Sequence, residues 1–241
     1  MSKLVETAVI LCGGYGTRIA DIEPNLPKSL IKVSDGAIID YIIYRLIEGG
    51  IKNIILALGF RAEQIVKYIK RNHSEVKIKF VIEKEELGTG GAVRQVLSKF
   101  EDETYLVLNG DTFVNYDIAA FWCFHVKSQS KFSVLSVFSE DIVRYGSIEF
   151  DGSNEKKIAG FFEKMSSGQG WINAGHYLIN SEEFLGKTQK GRFSIENFIK
   201  TQAHQGTLYG YRTTSSFIDI GVPKDLVYAR EQFVWPQSLK Q

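Results

Sequence analysis

"TAVILCGGYGTR", Thr7 to Arg18, runs from unbroken apolar residues into a loop of three glycines and ends on Thr17-Arg18. A short continuous apolar run closed by glycine reads as a strand buried on both faces. Such a strand belongs to a parallel sheet covered by helices. The glycine loop leaves backbone N–H groups bare, and these can wrap a phosphate. Two known phosphate loops do not fit. A Walker loop ends in Gly-Lys-Ser/Thr, whereas Thr17-Arg18 stands here. A dinucleotide fingerprint needs a further glycine where Ile19 stands, and Pro24 and Pro27 spoil the helix it requires. The loop by itself leaves phosphate binding and a plain tight turn both open.

Outward from this stretch, strand and helix signals alternate. "KNIILAL", "VKIKFVIE" and "TYLVLNGD" read as strands, separated by "AIIDYIIYRLIEGG", "RAEQIVKYIKRNH" and "GGAVRQVLSKF" at helical spacing. After helix "DIAAFWCFHVKSQ" and strand "FSVLSVF" come hairpin signals: "YGSIEF", the turn "DGSN", "KIAGFFEK" and "WINAGHYLIN". "SIENFIKTQAHQG", "TLYGYRT" and "PKDLVYAREQF" close the chain as helix, strand and helix, the last begun by proline. The expected fold is an α/β, Rossmann-like three-layer α/β/α sandwich. Its sheet is mixed but mostly parallel, with antiparallel elaboration in the C-terminal half. Residues 1–241 read as one domain.

The chain is 44% hydrophobic and carries 29 Lys+Arg against 28 Asp+Glu, which argues against a nucleic-acid partner. Two cysteines and four histidines show no disulfide framework or zinc spacing. The apolar stretch at the N-terminus is too short for a signal or membrane segment. A soluble cytoplasmic protein with no membrane partner is expected.

In doubly wound sheets ligands sit beyond the carboxyl ends of the strands. Leu11-Cys12-Gly13-Gly14 with Gly16-Thr17-Arg18, Glu83 with Gly88-Thr89, and Asn109-Gly110-Asp111 all stand there. So do Glu163-Lys164, Asn173 to Gly175, and Asp219. Two glycine loops, isolated aspartates and several cations at one sheet edge suggest a nucleotide-phosphate site. Ordinary roles exist for each type: an aspartate after a strand caps a helix, and a lysine after a proline is often solvated. Cys12 is a small residue suited to the core.

The phrase "GGYGTRIADIEPNLPKSL" resembles the opening of the sugar-1-phosphate nucleotidyltransferases: G-G-x-G-T-R, a loop, then P-K and an apolar strand. "ELGTGGAV", "LNGD", "YGSI", "FFEK", "NAGHYL" and "FIDIGVPKDL" continue the resemblance in family order over nearly the whole chain. The guanylyltransferases of this family, including the short heptose 1-phosphate enzymes, are the most similar. Two places depart from the pattern. Ile19-Ala20-Asp21 stands where Leu and a proline-bearing loop are usual, and Asp35-Gly36-Ala37-Ile38 where Lys/Arg-Pro precedes the first helix. The second bears on how that helix starts.

The resemblance implies an enzyme that joins a nucleoside triphosphate to a sugar 1-phosphate and releases pyrophosphate, for surface polysaccharide synthesis. It implies that Arg18, Lys28 and Asp111 are catalytic. Leu11, Cys12, Gly13, Gly14, Gly16, Thr17, Arg18, Lys28, Glu83, Gly88, Thr89, Asn109 and Gly110 would face the nucleotide. Gly146, Glu163, Lys164, Asn173 and Gly175 would face the sugar phosphate, and Asp111 and Asp219 would hold Mg²⁺. A homo-oligomer is compatible with it. The base follows from Glu83. Uridylyl and thymidylyl members commonly have an amide there, which matches one donor and one acceptor; a carboxylate offers two acceptors, suited to N1–H and the 2-amino group of guanine. GTP is therefore the expected donor, and the resemblance implies heptose 1-phosphate as its partner. A hexose-1-phosphate enzyme using another triphosphate, and a non-catalytic nucleotide-sugar sensor, remain as alternatives. A glycosyltransferase fits less well, because Asp111-Thr112-Phe113 lacks the Asp-x-Asp metal pattern.

Overall fold

The computed structural model of the chain describes residues 4–14, 23–143, 145, 147–162, 168–221 and 223–235. Strand β1 (Thr7–Cys12) leads to α1 (Ile38–Glu48), β2 (Asn53–Leu58), α2 (Ala62–Asn72), β3 (Ile78–Ile82), α3 (Gly88–Leu97) and β4 (Thr104–Asn109). Next come β5 (Thr112–Val114), α4 (Ile118–Lys127) and β6 (Phe132–Ser139), then the antiparallel pair β7 (Ser147–Phe150) and β8 (Ile158–Phe162). The chain continues through β9 (Gly170–Asn180), α5 (Ser181–Lys187), α6 (Ile195–His204), β10 (Leu208–Thr213), β11 (Phe217–Asp219) and α7 (Pro223–Glu231).

Seven strands form one sheet in the order β10-β6-β9-β4-β1-β2-β3. β1 pairs in parallel with β2 and β4, as does β2 with β3 and β10 with β6, while β9 runs antiparallel to both β4 and β6. Six strands thus point one way and one runs against them, so the mixed, mostly parallel sheet is as expected.

β1 has the buried, two-sided character its sequence suggested. Successive side chains of a strand alternate between faces. Ala8, Ile10 and Cys12 enter one core with Ile65 and Ile69 of α2, Phe121 of α4 and Leu226 of α7. Val9 enters the other with Val93 and Val96 of α3, Phe184 of α5 and Ile199 of α6. Helices cover both faces, giving three layers. Each fully buried side chain such as Ile10 stabilises the fold by about 1.5–3 kcal/mol.

Three elements escaped the sequence. The segment after Pro27 is a 3-10 turn, Lys28–Leu30, rather than a strand: Leu30 N donates to Pro27 O at 2.9 Å and Ile31 N to Lys28 O at 3.0 Å. β5 is too short for a periodicity, and α5 spans barely two turns. The unusual start of α1 is compensated locally. Ala37 offers no side-chain cap, but Asp40 accepts from Ala37 N at 2.8 Å, from Tyr68 Oη at 2.7 Å, and pairs with His73 Nε2 at 2.7 Å. A Cβ on Gly36 would stand 2.7 Å from that carboxylate.

Candidate active site

The strand ends converge on a cleft of about 310 Å³. Leu11, Cys12, Gly13 and Gly14 line it from β1, Glu83 from the end of β3, and Asn109, Gly110 and Asp111 from β4. Lys28, Gly88 and Thr89 line it as well. Gly110 N donates to Leu11 O at 2.9 Å, which locks the two strand ends together. A Cβ on Gly110 would come within 2.6 Å of Cys12 Sγ and 2.8 Å of Leu11 O, so only glycine lets them meet so closely. Burial pushes the Cys12 thiol up to about 12, which makes it a neutral wall residue and not a nucleophile.

The charged centre is built from three distant segments. Lys28 Nζ lies 3.1 Å from Asp111 Oδ2, both only partly exposed. Asp219 comes from β11, which pairs with β5 so that Asp219 faces Thr112, and Ile220 N donates to Asp111 O at 3.0 Å. This small two-stranded ladder brings the second carboxylate beside the first. Burial, and then the charge of Asp111, raise the Asp219 carboxyl to about 6, against the opposing pull of Gly221 N and Lys28. Two carboxylates sharing one lysine leave negative charge uncompensated, which suits a small divalent cation. Among the described residues no group of three or more His, Cys, Asp or Glu could hold a metal. Magnesium needs only one or two carboxylates when phosphate oxygens and waters complete its shell, so the Asp111–Asp219 pair fits it.

The second glycine segment differs from a phosphate loop. Gly90 N and Gly91 N, at the start of α3, donate to Phe193 O at 2.9 and 3.3 Å, and Phe193 N donates to Leu87 O at 3.0 Å. These helix-end amides are satisfied inside the protein and are not available to an anion. Thr89 Oγ1 donates to Glu196 Oε2 at 3.0 Å and accepts from Ile195 N at 2.9 Å, so its hydroxyl is likewise engaged.

Asn173 and Gly175 lie on β9, and Gly175 packs against Asn109 of the cleft wall. Asn173 Nδ2 donates to Tyr177 Oη at 2.9 Å, and its Oδ1 accepts from Gly175 N at 2.9 Å. Gly175 has φ +72°, and a Cβ there would overlap the Asn109 amide. Gly16, Thr17, Arg18, Gly146, Glu163 and Lys164 lie outside the described residues. Glu86, Ser29, Ala92 and Glu196 also line the cleft and went unnoticed in the sequence. Glu196 sits in the first turn of a helix capped by Ser194, where an acid reads as a helix-dipole partner. Glu86 reads as part of an acidic loop and in fact pairs with Arg192 at 2.7 Å.

Comparison with known proteins agrees with this geometry. Residues 7–234 match the family model for nucleotidyl transferases. A D-glycero-alpha-D-manno-heptose 1-phosphate guanylyltransferase of Campylobacter jejuni is 36% identical over 218 residues, 90% of this chain and 96% of that protein. One from Aneurinibacillus thermoaerophilus is 30% identical, over 93% of this chain and 97% of that protein. The crystal structure of HddC from Yersinia pseudotuberculosis superposes with a TM-score of 0.84 at 30% identity, covering 95% of this chain and all of that one. Its complex with GMP-PN gives 0.83. Fold, cleft and matched length lead to one conclusion: the chain belongs to the nucleotidyl transferase family.

Proposed function

We propose that this chain is a sugar-1-phosphate guanylyltransferase, joining GTP to D-glycero-D-manno-heptose 1-phosphate to give a GDP-heptose and pyrophosphate. The observation that carries the reading is the Lys28–Asp111–Asp219 centre at the strand ends, in the cleft that Glu83 also lines. The two heptose 1-phosphate guanylyltransferases, each matched over nearly its full length, support the substrate pair.

An oxygen of the sugar phosphate attacks the α-phosphorus of GTP in line, the bond to the β-phosphate oxygen breaks, and pyrophosphate leaves. Little covalent work is needed from the protein; positioning and charge do most of it. Lys28 lies against the α-phosphate, where negative charge grows in the transition state. The β1 glycine loop and Arg18 hold the triphosphate. Lys164 takes the sugar phosphate, and Gly146 and Glu163 the sugar, while Gly175 packs against Asn109 of the cleft wall. Asp111 and Asp219 would hold Mg²⁺, which would supply positive charge to offset the negative charge that builds up in the reaction. Glu83 accepts N1–H and the 2-amino group of guanine, whereas uracil would set a carbonyl oxygen against it at a cost of a few kcal/mol.

The two cysteines, Cys12 and Cys123, are unpaired, and no described helix is long and apolar enough to cross a membrane. Both suit a cytoplasmic enzyme, where its triphosphate is found. The product, a nucleotide-activated sugar, suits surface polysaccharide assembly.

The test is pyrophosphate release from a panel of triphosphates mixed with heptose, mannose and glucose 1-phosphates. GTP with heptose 1-phosphate should turn over fastest. A preference for UTP or dTTP overturns the base, a preference for a hexose overturns the sugar, and silence across the panel overturns catalysis.

A further inference from the structure

The Glu83 carboxylate sits in a slot between two glycines. A Cβ on Gly13 would stand 3.0 Å from Glu83 Oε1. A Cβ on Gly59, just beyond β2, would overlap that same oxygen and lie 2.9 Å from both Glu83 Cδ and Gly13 O. The other oxygen, Oε2, accepts from Leu87 N at 3.2 Å. The backbone is fixed as well: Glu83 N donates to Leu58 O at 2.8 Å, and Phe60 N to Gly13 O at 3.2 Å. Neither Gly13 nor Gly59 is among the glycines with positive φ. Gly59 is therefore not there to relieve backbone strain; what it provides is space for the carboxylate.

We propose that Gly59 is a specificity-positioning residue, whose missing side chain lets Glu83 keep its carboxylate fixed at the cleft wall for a paired contact with guanine. The inference rests on the reading of Glu83 as the guanine contact. A carboxylate anchored by Leu87 N on one oxygen and confined by glycine on the other loses few rotamers when a base arrives. Pre-organisation of that kind sharpens discrimination, because a base that mismatches the two acceptors cannot push them aside. Burial raises the Glu83 carboxyl above its usual range, with Leu87 N opposing and the charge of Glu86 adding to it.

A methyl at position 59 meets two kinds of neighbour. The Gly13 carbonyl is backbone and yields little, whereas Glu83 Oε1 is the far end of a flexible side chain. The cheap response is for Glu83 to swing out of the slot, leaving the sheet in place. Gly59→Ala should thus act like the loss of Glu83, although the glutamate is still present.

The experiment measures kcat/KM for GTP, ATP and UTP with wild type, Gly59→Ala, Glu83→Gln and the double variant. Gly59→Ala should lower the preference for GTP by at least about tenfold, as Glu83→Gln does. The double variant should lose no more than either single one, since both act through one contact. General damage would lower all three nucleotides in proportion and leave the ratios unchanged. If Glu83→Gln erodes the GTP preference and Gly59→Ala does not, the inference falls while the reading of Glu83 stands. If wild type shows no preference for GTP, both fall. Glu83→Asp decides the matter even if Gly59→Ala folds poorly: it keeps the charge but withdraws it by one methylene, about 1.5 Å. Its GTP preference should drop too, and full retention would show that placement in the slot does not matter.

Discussion

Lys28 Nζ rests 3.1 Å from Asp111 Oδ2, joining a turn after β1 to the end of β4 across 83 residues of sequence. The pair is a resting arrangement with opposite duties. In the proposed reaction the lysine serves the α-phosphate and the aspartate the cation, so substrate entry must separate them. Until then each shields the other in a partly buried site, where an unpaired charge is costly.

That arrangement predicts a split in kinetic constants. Lys28→Ala should depress kcat more than it raises KM for GTP, because its phosphate partner gains charge only in the transition state. Lys164→Ala should mainly weaken sugar-phosphate binding. Steady-state kinetics and titration with the sugar phosphate check both. An unchanged kcat in the first variant, or unchanged affinity in the second, contradicts the roles.

The carboxylate pair predicts dependence on a divalent cation. Asp111→Asn should lose about two or more orders of magnitude in rate, and Asp219→Asn should raise the Mg²⁺ concentration needed for half-maximal activity. Full turnover by either variant at low Mg²⁺, or by wild type in excess chelator, removes the metal from the mechanism.

Two buried histidines predict how stability varies with pH. Burial, with Lys131 adding to it, pushes His125 down to about 4, and burial pushes His176 down to about 3, both from 6.5. Between those values and 6.5 the unfolded chain binds protons that the folded one refuses. Stability is therefore fully present above pH 6.5, falls as pH drops towards 4, and levels off below both folded values. Asp219 works the other way: its raised carboxyl favours the folded state as pH falls through about 6. A variant isolates the histidine share. His125→Asn removes the titrating ring that meets Ser133 Oγ at 2.8 Å. Urea unfolding at pH 7 and pH 5 should show wild type losing about 1–2 kcal/mol more than the variant. Equal losses would mean that His125 does not titrate on unfolding.

What could be read beforehand was what local chemistry dictates. The apolar run of β1 and the glycine after it fixed a central parallel strand, and "LNGD" put Asp111 at the next strand end. Glu83 closed "KFVIE" in the same way. What stayed hidden depends on pairs far apart in sequence. Nothing near Gly90 says that Phe193 O will cap its amide, and nothing near Asp219 says that a three-residue ladder with β5 will set it beside Asp111. Glu196 was missed for the same reason, because a helix-start acid looks alike whether it faces water or a cleft. The turn at Lys28–Leu30 stands where a strand is expected, since three residues after a proline carry no periodicity.

Thr89 separates a structural role from a ligand role. Its hydroxyl accepts from Ile195 N at 2.9 Å and donates to Glu196 Oε2 at 3.0 Å, tying the start of α3 to the start of α6. Thr89→Val keeps the shape but breaks both bonds, leaving a backbone N–H at buried Ile195 without its partner and Glu196 without its anchor. The cost should be about 1–3 kcal/mol. For a chain of this size that lowers Tm by roughly 2–4 °C per kcal/mol. Thr89→Ser retains the hydroxyl and should recover most of the loss. Because the hydroxyl is engaged inside the protein, the stability change should exceed any change in KM for GTP. Thermal melts and GTP kinetics on the three proteins decide it. A raised KM with an unchanged Tm in Thr89→Val would mean that the hydroxyl serves the nucleotide and that its bonds to Ile195 and Glu196 are incidental.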